Sequence, residues 1–475
     1  MVNTLKWSSI PLSAVIENNK RLEASVFGMD AQIALRVIHN SKNPTKPLIG
    51  QGGFVASAHY GDRLKRNYVS RETNGAIGFL GSAEMLDIYP KPTKYMINDD
   101  SVAKLRVSKG TILISRSGTI GNVTFVNNTL AKNLVSEHAI RLECYDYPGY
   151  VYTFLKSSVG KNLILSKNFG SVVQEIEPDD IASIPVPDPC EKTKKRINEL
   201  IEESYDLRDE SNIWIDKANA LLKQSLQLPP YEELKKNEKR VAYSVSLSSL
   251  NNRLDGSYHV PIVSMIEESL SRMGFELTEI GNLNISQDVI LPGRFKRVYV
   301  EEGYGKVFIG GKQIYQLDPA NKKYLSFSHH EKRIKEQLEL HENMILITCS
   351  GTIGKVSLVP RHWEGWAASQ HMIRIVPTTR QMAGYLSIFL ATDFGRELII
   401  RNVYGSVIDE IDDNQVKSIR IPLLSDEKVQ NSIGDMALKA NELRYDAYCK
   451  EKEALTILNE EVLQYVIPQP RDEEQ

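Results

Sequence analysis

The chain has 475 residues, 41% hydrophobic and 25% charged, with a formal net charge of −2. That length exceeds one ordinary core and suits roughly two to four globular domains. The near-neutral balance excludes a broadly basic coat, so any contact with a polyanion must come from local clusters. Cys144, Cys190, Cys349 and Cys449 stand far apart with no CxxC pair, which argues against zinc and disulfides and fits a reducing cytoplasm. The N-terminal MVNTLKWSSIPLS has no long apolar run, and the longest runs, such as 344–348, are strand-sized. Neither a secretory signal nor a membrane span is expected.

In chain order, the first recognisable block is Arg21-Leu22-Glu23-Ala24-Ser25, which returns as Arg253-Leu254-Asp255-Gly256-Ser257. A basic stretch follows, where Arg63, Lys65, Arg66 and Arg71 outnumber Asp62. Phe79-Leu80-Gly81 matches Phe308-Ile309-Gly310, and 112–123 (ILISRSGTIGNV) matches 345–356 (ILITCSGTIGKV). These are β-branched runs punctuated by Gly and Asn, the pattern of short strands and turns. Ser136-Glu137-His138-Ala139-Ile140-Arg141 recurs as Ser369-Gln370-His371-Met372-Ile373-Arg374. Apolar residues three and four apart predict a helix over 150–165 and another over 384–401. Gly170-Ser171-Val172 with Glu175-Ile176 recurs as Gly405-Ser406-Val407 with Glu410-Ile411, and Ile184, Val186 and Pro187 as Ile419, Ile421 and Pro422. Blocks in one order, at offsets from 229 to 235, make the chain a tandem duplication with small loop insertions.

After each Pro exit comes one long helix. Ile197, Leu200, Ser204, Leu207, Ser211, Trp214, Ala218, Leu221, Ser225 and Leu228 alternate at spacings of three and four. Ile433, Met436, Ala440, Leu443, Ala447, Lys450, Ala454 and Ile457 do the same in the second copy. This is the coiled-coil period, and the small residues let two backbones approach closely. The two helices are expected to pair with each other, antiparallel, because the copies join end to end through Pro229-Pro230.

Catalytic signatures are missing. The stretch 305–312 (GKVFIGGK) has the wrong spacing for a phosphate loop and continues with Gln313, and the SGTIG segments lack GxGxxG spacing, so both predict tight turns. No GxSxG or HExxH motif occurs, and Leu228-Pro229-Pro230-Tyr231 has Leu where a base-flipping methyltransferase needs an amide or carboxylate. His138 and His371 sit beside strands and are expected to bond backbone groups.

The ordered double set of ISRSGTIGNV, S-(E/Q)-H-x-I-R, G-S-V-x-x-E-I, the Pro exit and a long helix resembles the specificity subunit of type I restriction-modification systems over nearly the whole chain. The Arg-Leu-(Glu/Asp) opening also matches. The resemblance implies an α+β chain: target-recognition domain 1 (1–188), spacer helix 1 (189–228), linker (229–240), target-recognition domain 2 (241–424), spacer helix 2 (425–467) and tail (468–475). It implies a non-catalytic cytoplasmic subunit with no cofactor or metal of its own, reading a split DNA target in a defence complex. The partners implied are double-stranded DNA and two methyltransferase subunits carrying S-adenosylmethionine, with a motor-nuclease subunit as a further member. The copies diverge outside the shared blocks, so the two half-sites should differ.

Candidate DNA contacts are Arg63, Lys65, Arg66 and Arg71 in the first domain. In the second they are Arg294, Lys296, Arg297, Lys312, Lys322 and Lys323, chosen as basic residues among Gly, Tyr and Asn. Helix-seam candidates are Leu200, Leu207, Trp214, Leu221, Ile433, Met436, Leu443 and Ile457. Rival readings are a defence-complex scaffold that reads no sequence and a methyltransferase fused to a recognition domain.

Overall fold

The structure, a computed structural model, describes residues 10, 12–17, 28–168, 174–238, 242–250, 253–319, 321–405 and 408–465. The opening at 21–25, the residues 170–172, Ser406, Val407 and the tail 468–475 lie outside them. Contacts divide the chain into two units, Met1–Asp209 with Asp446–Pro468 and Glu210–Tyr445 with Gln469–Gln475.

In the first unit the apolar run Ile112–Ser115 is buried at every position, as a continuous β-branched run demands. It lies inside a sheet ordered Val55–Tyr60, Ala139–Cys144, Ile112–Ser115, Val123–Phe125. All pairs are antiparallel, with Ile112 opposite Leu142 and Ile114 opposite Ile140. A smaller sheet joins Lys94–Ile97 to Ala76–Leu80, and the latter in parallel to Leu134–Val135. A two-stranded ribbon pairs Thr45–Pro47 with the Pro exit, Pro185–Pro187.

The second unit repeats these orders. Its larger sheet runs Ser286–Ile290, Met372–Pro377, Ile345–Thr348, Val356–Leu358. Its smaller one runs Tyr299–Val300, Lys323–Ser326, Gly305–Ile309, Ala367–Ala368, again ending in a parallel pair. Its ribbon pairs Glu276–Glu279 with Arg420–Leu423. In both units a buried tyrosine hydroxyl caps the ribbon: Tyr150 donates to Pro187 O and Tyr385 to Pro422 O, each at 2.6 Å.

Each single helix expected over 150–165 and 384–401 is in fact two. They are Pro148–Lys156 and Ser158–Ser166 in the first unit, and Arg380–Leu390 and Asp393–Ile400 in the second. Ser157 and Thr392 adopt extended backbone and accept from the N–H of Gly160 and Gly395 through their hydroxyls, so each break is a helix N-cap. A Cβ at Gly160 would fall 2.1 Å from Phe154 O, which makes glycine necessary at that corner. Two further helices, Met29–Asn40 and Pro261–Arg272, precede the sheets of their units, and Tyr231–Glu238 is helical within the expected linker.

Two long helices, Glu191–Leu226 and Glu427–Ile457, follow the ribbons, and each contributes residues to both units. Within the first unit, Arg196 meets Glu453 and Glu461, and Glu203 meets Lys450. Ser204 Oγ donates to Ala447 O at 2.8 Å. Positions rise along one helix as they fall along the other, so the helices run antiparallel there. Within the second unit, Arg444 reaches Ser211 and Asn212.

The small seam residues Ser204, Ser211, Ala218, Ala440, Ala447 and Ala454 are fully buried, as are Leu200, Ile433, Leu443 and Ile457. Leu221 and Met436 pack partly buried against the second core. Leu207 and Trp214 correct the expected seam, for both are only half-buried. In place of Leu207 and Lys450, the chain buries the next residues, Arg208 and Glu451.

The reason is electrostatic. Glu451 is 1% exposed; it accepts from Lys156 Nζ at 2.7 Å, from Arg208 Nη2 at 2.9 Å and from the Tyr152 hydroxyl. Arg208 lies over the Tyr205 ring at 3.9 Å, and Tyr205 OH bonds Tyr152 OH at 2.9 Å. Burial alone would raise the Glu451 carboxyl, but Lys156, Arg208 and Tyr152 bring it down to about 2.

Glu451→Gln keeps the size and leaves the buried Arg208 and the half-buried Lys156 without their carboxylate. It is expected to destabilise the first unit by about 3–5 kcal/mol, read by denaturant titration at neutral pH. The pH dependence follows from the depressed carboxyl. Stabilisation from Glu451 is complete above the ordinary value of 4.5 and drains as pH falls towards about 2, so the variant should lose that acid-side slope.

Candidate nucleic-acid interface

The repeated SGTIG segment closes a hairpin between Ile112–Ser115 and Val123–Phe125, and its counterpart between Ile345–Thr348 and Val356–Leu358. Gly118 and Gly121 have φ of 78°, and Gly351 and Gly354 have 74° and 83°. That left-handed backbone is what glycine supplies. Ser115 Oγ donates to Thr119 O and accepts from Asn122 N; Thr348 Oγ1 does the same with Thr352 O and Lys355 N. Each turn is braced by the Glu-Ile block, since Ile176 N donates to Arg116 O and Ile411 N to Cys349 O.

The S-(E/Q)-H-x-I-R block supplies a buried arginine. Arg141 donates to the carbonyls of Ala139, Val135 and Leu105, and Arg374 to those of Met372, Ala368, Leu338 and Ser369. Burial lowers them to about 10 and about 9, and among the described residues no carboxylate bonds either one. These arginines knit the fold. The histidines depart from expectation: the His138 ring meets Ser117 Oγ at 2.6 Å and lies 3.7 Å from Glu137, while the His371 ring meets Gln370 at 3.3 Å. Both partners are side chains. Burial, helped by Arg297 and Arg294, holds His371 below the usual imidazole range. A histidine that does serve the backbone is His330, whose Nε2 accepts from Val298 N at 3.1 Å.

Arg63, Lys65 and Arg66, with Arg294, Lys296 and Arg297, fall on one further repeated element. Arg63-Leu64-Lys65-Arg66-Asn67-Tyr68-Val69 and Arg294-Phe295-Lys296-Arg297-Val298-Tyr299-Val300 agree at five of seven positions, at offset 231. This repeat is itself a sequence signal, carried by identical residues at a fixed offset. Neither run is helical, and each leads into antiparallel pairing, Val69 with Tyr95 and Tyr299–Val300 with Lys323–Ser326. Leu64 and Phe295 pack against the core of their own unit. Arg66 donates to Glu137 at 2.6 Å over the Phe79 ring, and Arg297 to Gln370 at 2.7 Å over the Phe308 ring. Lys94 sits 5.2 Å over Tyr68 and Lys323 5.2 Å over Tyr299. Burial works against the Arg66 charge, but the Glu137 carboxylate holds it above its usual value.

Arg63 reaches Glu175 at 3.9 Å and Arg294 reaches Glu410 at 2.9 Å. Lys65 and Lys296 are exposed and, among the described residues, have no ion-pair partner. Arg71 and Lys312 are also exposed and unpaired among them. Lys322 is different: its ammonium pairs with Asp318 and lies over the Trp366 ring, so it is spent inside the unit. Among the described residues no group of three or more His, Cys, Asp or Glu could hold a metal ion. No helix among them is long and apolar enough to cross a membrane.

Residues 275–437 match the family model of the type I restriction modification DNA specificity domain. Among solved structures, the chain is similar to the S subunit of a type I restriction-modification system from M. genitalium. The two are 13% identical over 90% of this chain and 97% of that one, with a TM-score of 0.30. It is similar also to the HsdS subunit from Thermoanaerobacter tengcongensis, at 10% identity over 87% and 95%, TM-score 0.27. A third similarity is to a structure concerned with complex assembly of the type I R-M system, at 12% identity over 84% and 94%, TM-score 0.28. No curated protein sequence matches the chain.

The equivalence of Arg66 and Arg297 can be tested by its asymmetry. Arg66→Ala leaves the buried Glu137 carboxylate without its cation and should cost about 1.5–3 kcal/mol of stability. Arg297→Ala strands only the neutral Gln370 amide and should cost about 1 kcal/mol. Denaturant midpoints of the two variants would show the order, and equal costs would contradict it.

Proposed function

From the type I restriction modification DNA specificity domain that residues 275–437 carry, we propose that the chain is a DNA sequence-specificity subunit reading a two-part, asymmetric target. The single observation that carries this reading is that the first unit repeats the strand orders of the unit holding that domain. A second copy of a DNA-reading frame supports a second half-site. The two long helices act as spacers, paired as an antiparallel coiled coil, and dock two methyltransferase subunits. Those subunits supply S-adenosylmethionine and the transfer chemistry, so this chain is not itself an enzyme. A motor-nuclease subunit completes the complex where the system cuts. Cellular DNA as substrate, with all four cysteines free, fits the cytoplasm.

The test is methylation mapping in cells co-expressing the chain with the methyltransferase encoded beside its gene. The expected result is one modified motif of two unlike halves separated by a fixed unspecified gap. The same assay tests the spacers. A heptad added between Asp209 and Glu210, with another between Tyr445 and Asp446, leaves the Arg208–Glu451 and Arg444–Ser211 contacts untouched. Each helix lengthens by about 10 Å, so the gap should grow by at most about three base pairs while the bases at either end stay the same. An active variant with an unchanged gap, or methylation without sequence preference, would defeat the reading.

A further inference from the structure

The repeated run raises a question that the reading of two unlike half-sites makes sharp. Duplicated readers that have diverged to recognise different bases still share one ligand feature, the phosphate backbone. Residues that remain identical, exposed and unused by the fold in both units are therefore matched to that shared feature. Identical residues bonded inside each unit are matched to the fold.

The repeated run separates these classes. Arg66 and Arg297 are bonded to Glu137 and Gln370 and lie over Phe79 and Phe308, so the fold accounts for them. Arg63 and Arg294 each reach the carboxylate of the Glu-Ile block. Lys65 and Lys296 lie between, exposed and without an ion-pair partner among the described residues. A lysine ammonium is a point charge on a flexible stem, suited to phosphate and poor at telling bases apart.

Beyond the shared Tyr-Val the two units diverge. The turn 70–75 in the first is two residues longer than 301–304 in the second, as the fall in offset from 231 to 229 records. Two residues past Val69 stands Arg71, and two past Val300 stands Glu302, opposite in charge. Arg71 is exposed and unpaired among the described residues. Its planar fork suits bidentate bonding to the O6 and N7 acceptors of guanine in the major groove.

We propose that Lys65 and Lys296 are sequence-neutral phosphate anchors, one in each unit, and that base reading falls to the turns that follow them, with Arg71 as a specificity-determining residue of the first unit. This division rests on the DNA-reading function proposed above. It is tested on the full chain with two readouts. The first is affinity for a random-sequence duplex between roughly 50 and 200 mM salt. Lys65→Ala and Lys296→Ala should each flatten the logarithmic salt dependence by about 0.9, one phosphate contact's worth. The second is the consensus recovered when the chain selects duplexes from a randomised pool. Both lysine variants should recover the wild-type consensus, and Arg71→Ala should relax it in one half only. A salt slope unchanged by the lysine variants, a consensus altered by them, or one untouched by Arg71→Ala would overturn the division. A wild-type chain that binds the random duplex yet enriches no sequence would remove the DNA-reading function and the Arg71 role together, while the salt slopes still decide the lysines.

Discussion

A carboxylate buried where a hydrophobic seam belongs sets the geometry of the first unit. Glu451 reaches Arg208 on the other long helix, and Lys156 and Tyr152 on the helix Pro148–Lys156. Tyr205 carries the network on to the sheet, since Phe125 N donates to its hydroxyl at 3.1 Å. Apolar heptads tolerate a slip of one repeat at small cost. A buried carboxylate with three specific donors does not, because any slip strands charge in a medium of low dielectric. The interaction therefore fixes the register of the two helices within the unit. In the second unit Ile215 stands where the repeat would place Glu451. There Arg444 reaches Ser211 and Asn212, and the approach of Arg380–Leu390 to Glu427–Ile457 needs glycine. A Cβ at Gly384 would lie 2.2 Å from Gly434 O.

Function grows from the contrast between what the units share and what they do not. The shared parts are load-carrying: the tight SGTIG hairpin, the arginine wired to carbonyls, the tyrosine on the Pro exit. Each is hydrogen-bonded within its own unit, which ties it to the fold. The unshared parts are exposed turns and their charges, where substitution costs the fold little. A recognition protein can change what it reads without being rebuilt only if its contacts sit on such turns.

Much of this was legible in the sequence because repetition converts weak motifs into strong ones. The double set of blocks gave the two-fold plan, and the small residues at Ser204 and Ala447 announced the close approach of the long helices. Periodicity failed at Leu207 and Lys450, because it treats a charged residue as surface unless its partner is known. The partner here lies more than two hundred residues away. The breaks at Ser157 and Thr392 were hidden for a related reason: an N-cap inside an apolar run leaves the helical spacing intact. Lys322 was misjudged by counting charge without seeing Asp318 beneath it. The run from Arg63 to Val69 is legible because five of its seven residues recur at 294–300. Base-reading side chains were not legible, since the shape of an exposed turn depends on what it meets.

The central claim is that each unit is a separate reader built on a common frame. Replacing 29–187 by 261–422, helix start to Pro exit in both copies, would put the second reader in the first one's place while leaving both long helices intact. Methylation mapping with the partner methyltransferase should then find a motif whose two halves are both the second unit's half-site. Retention of the original first half-site in an active complex would contradict the account.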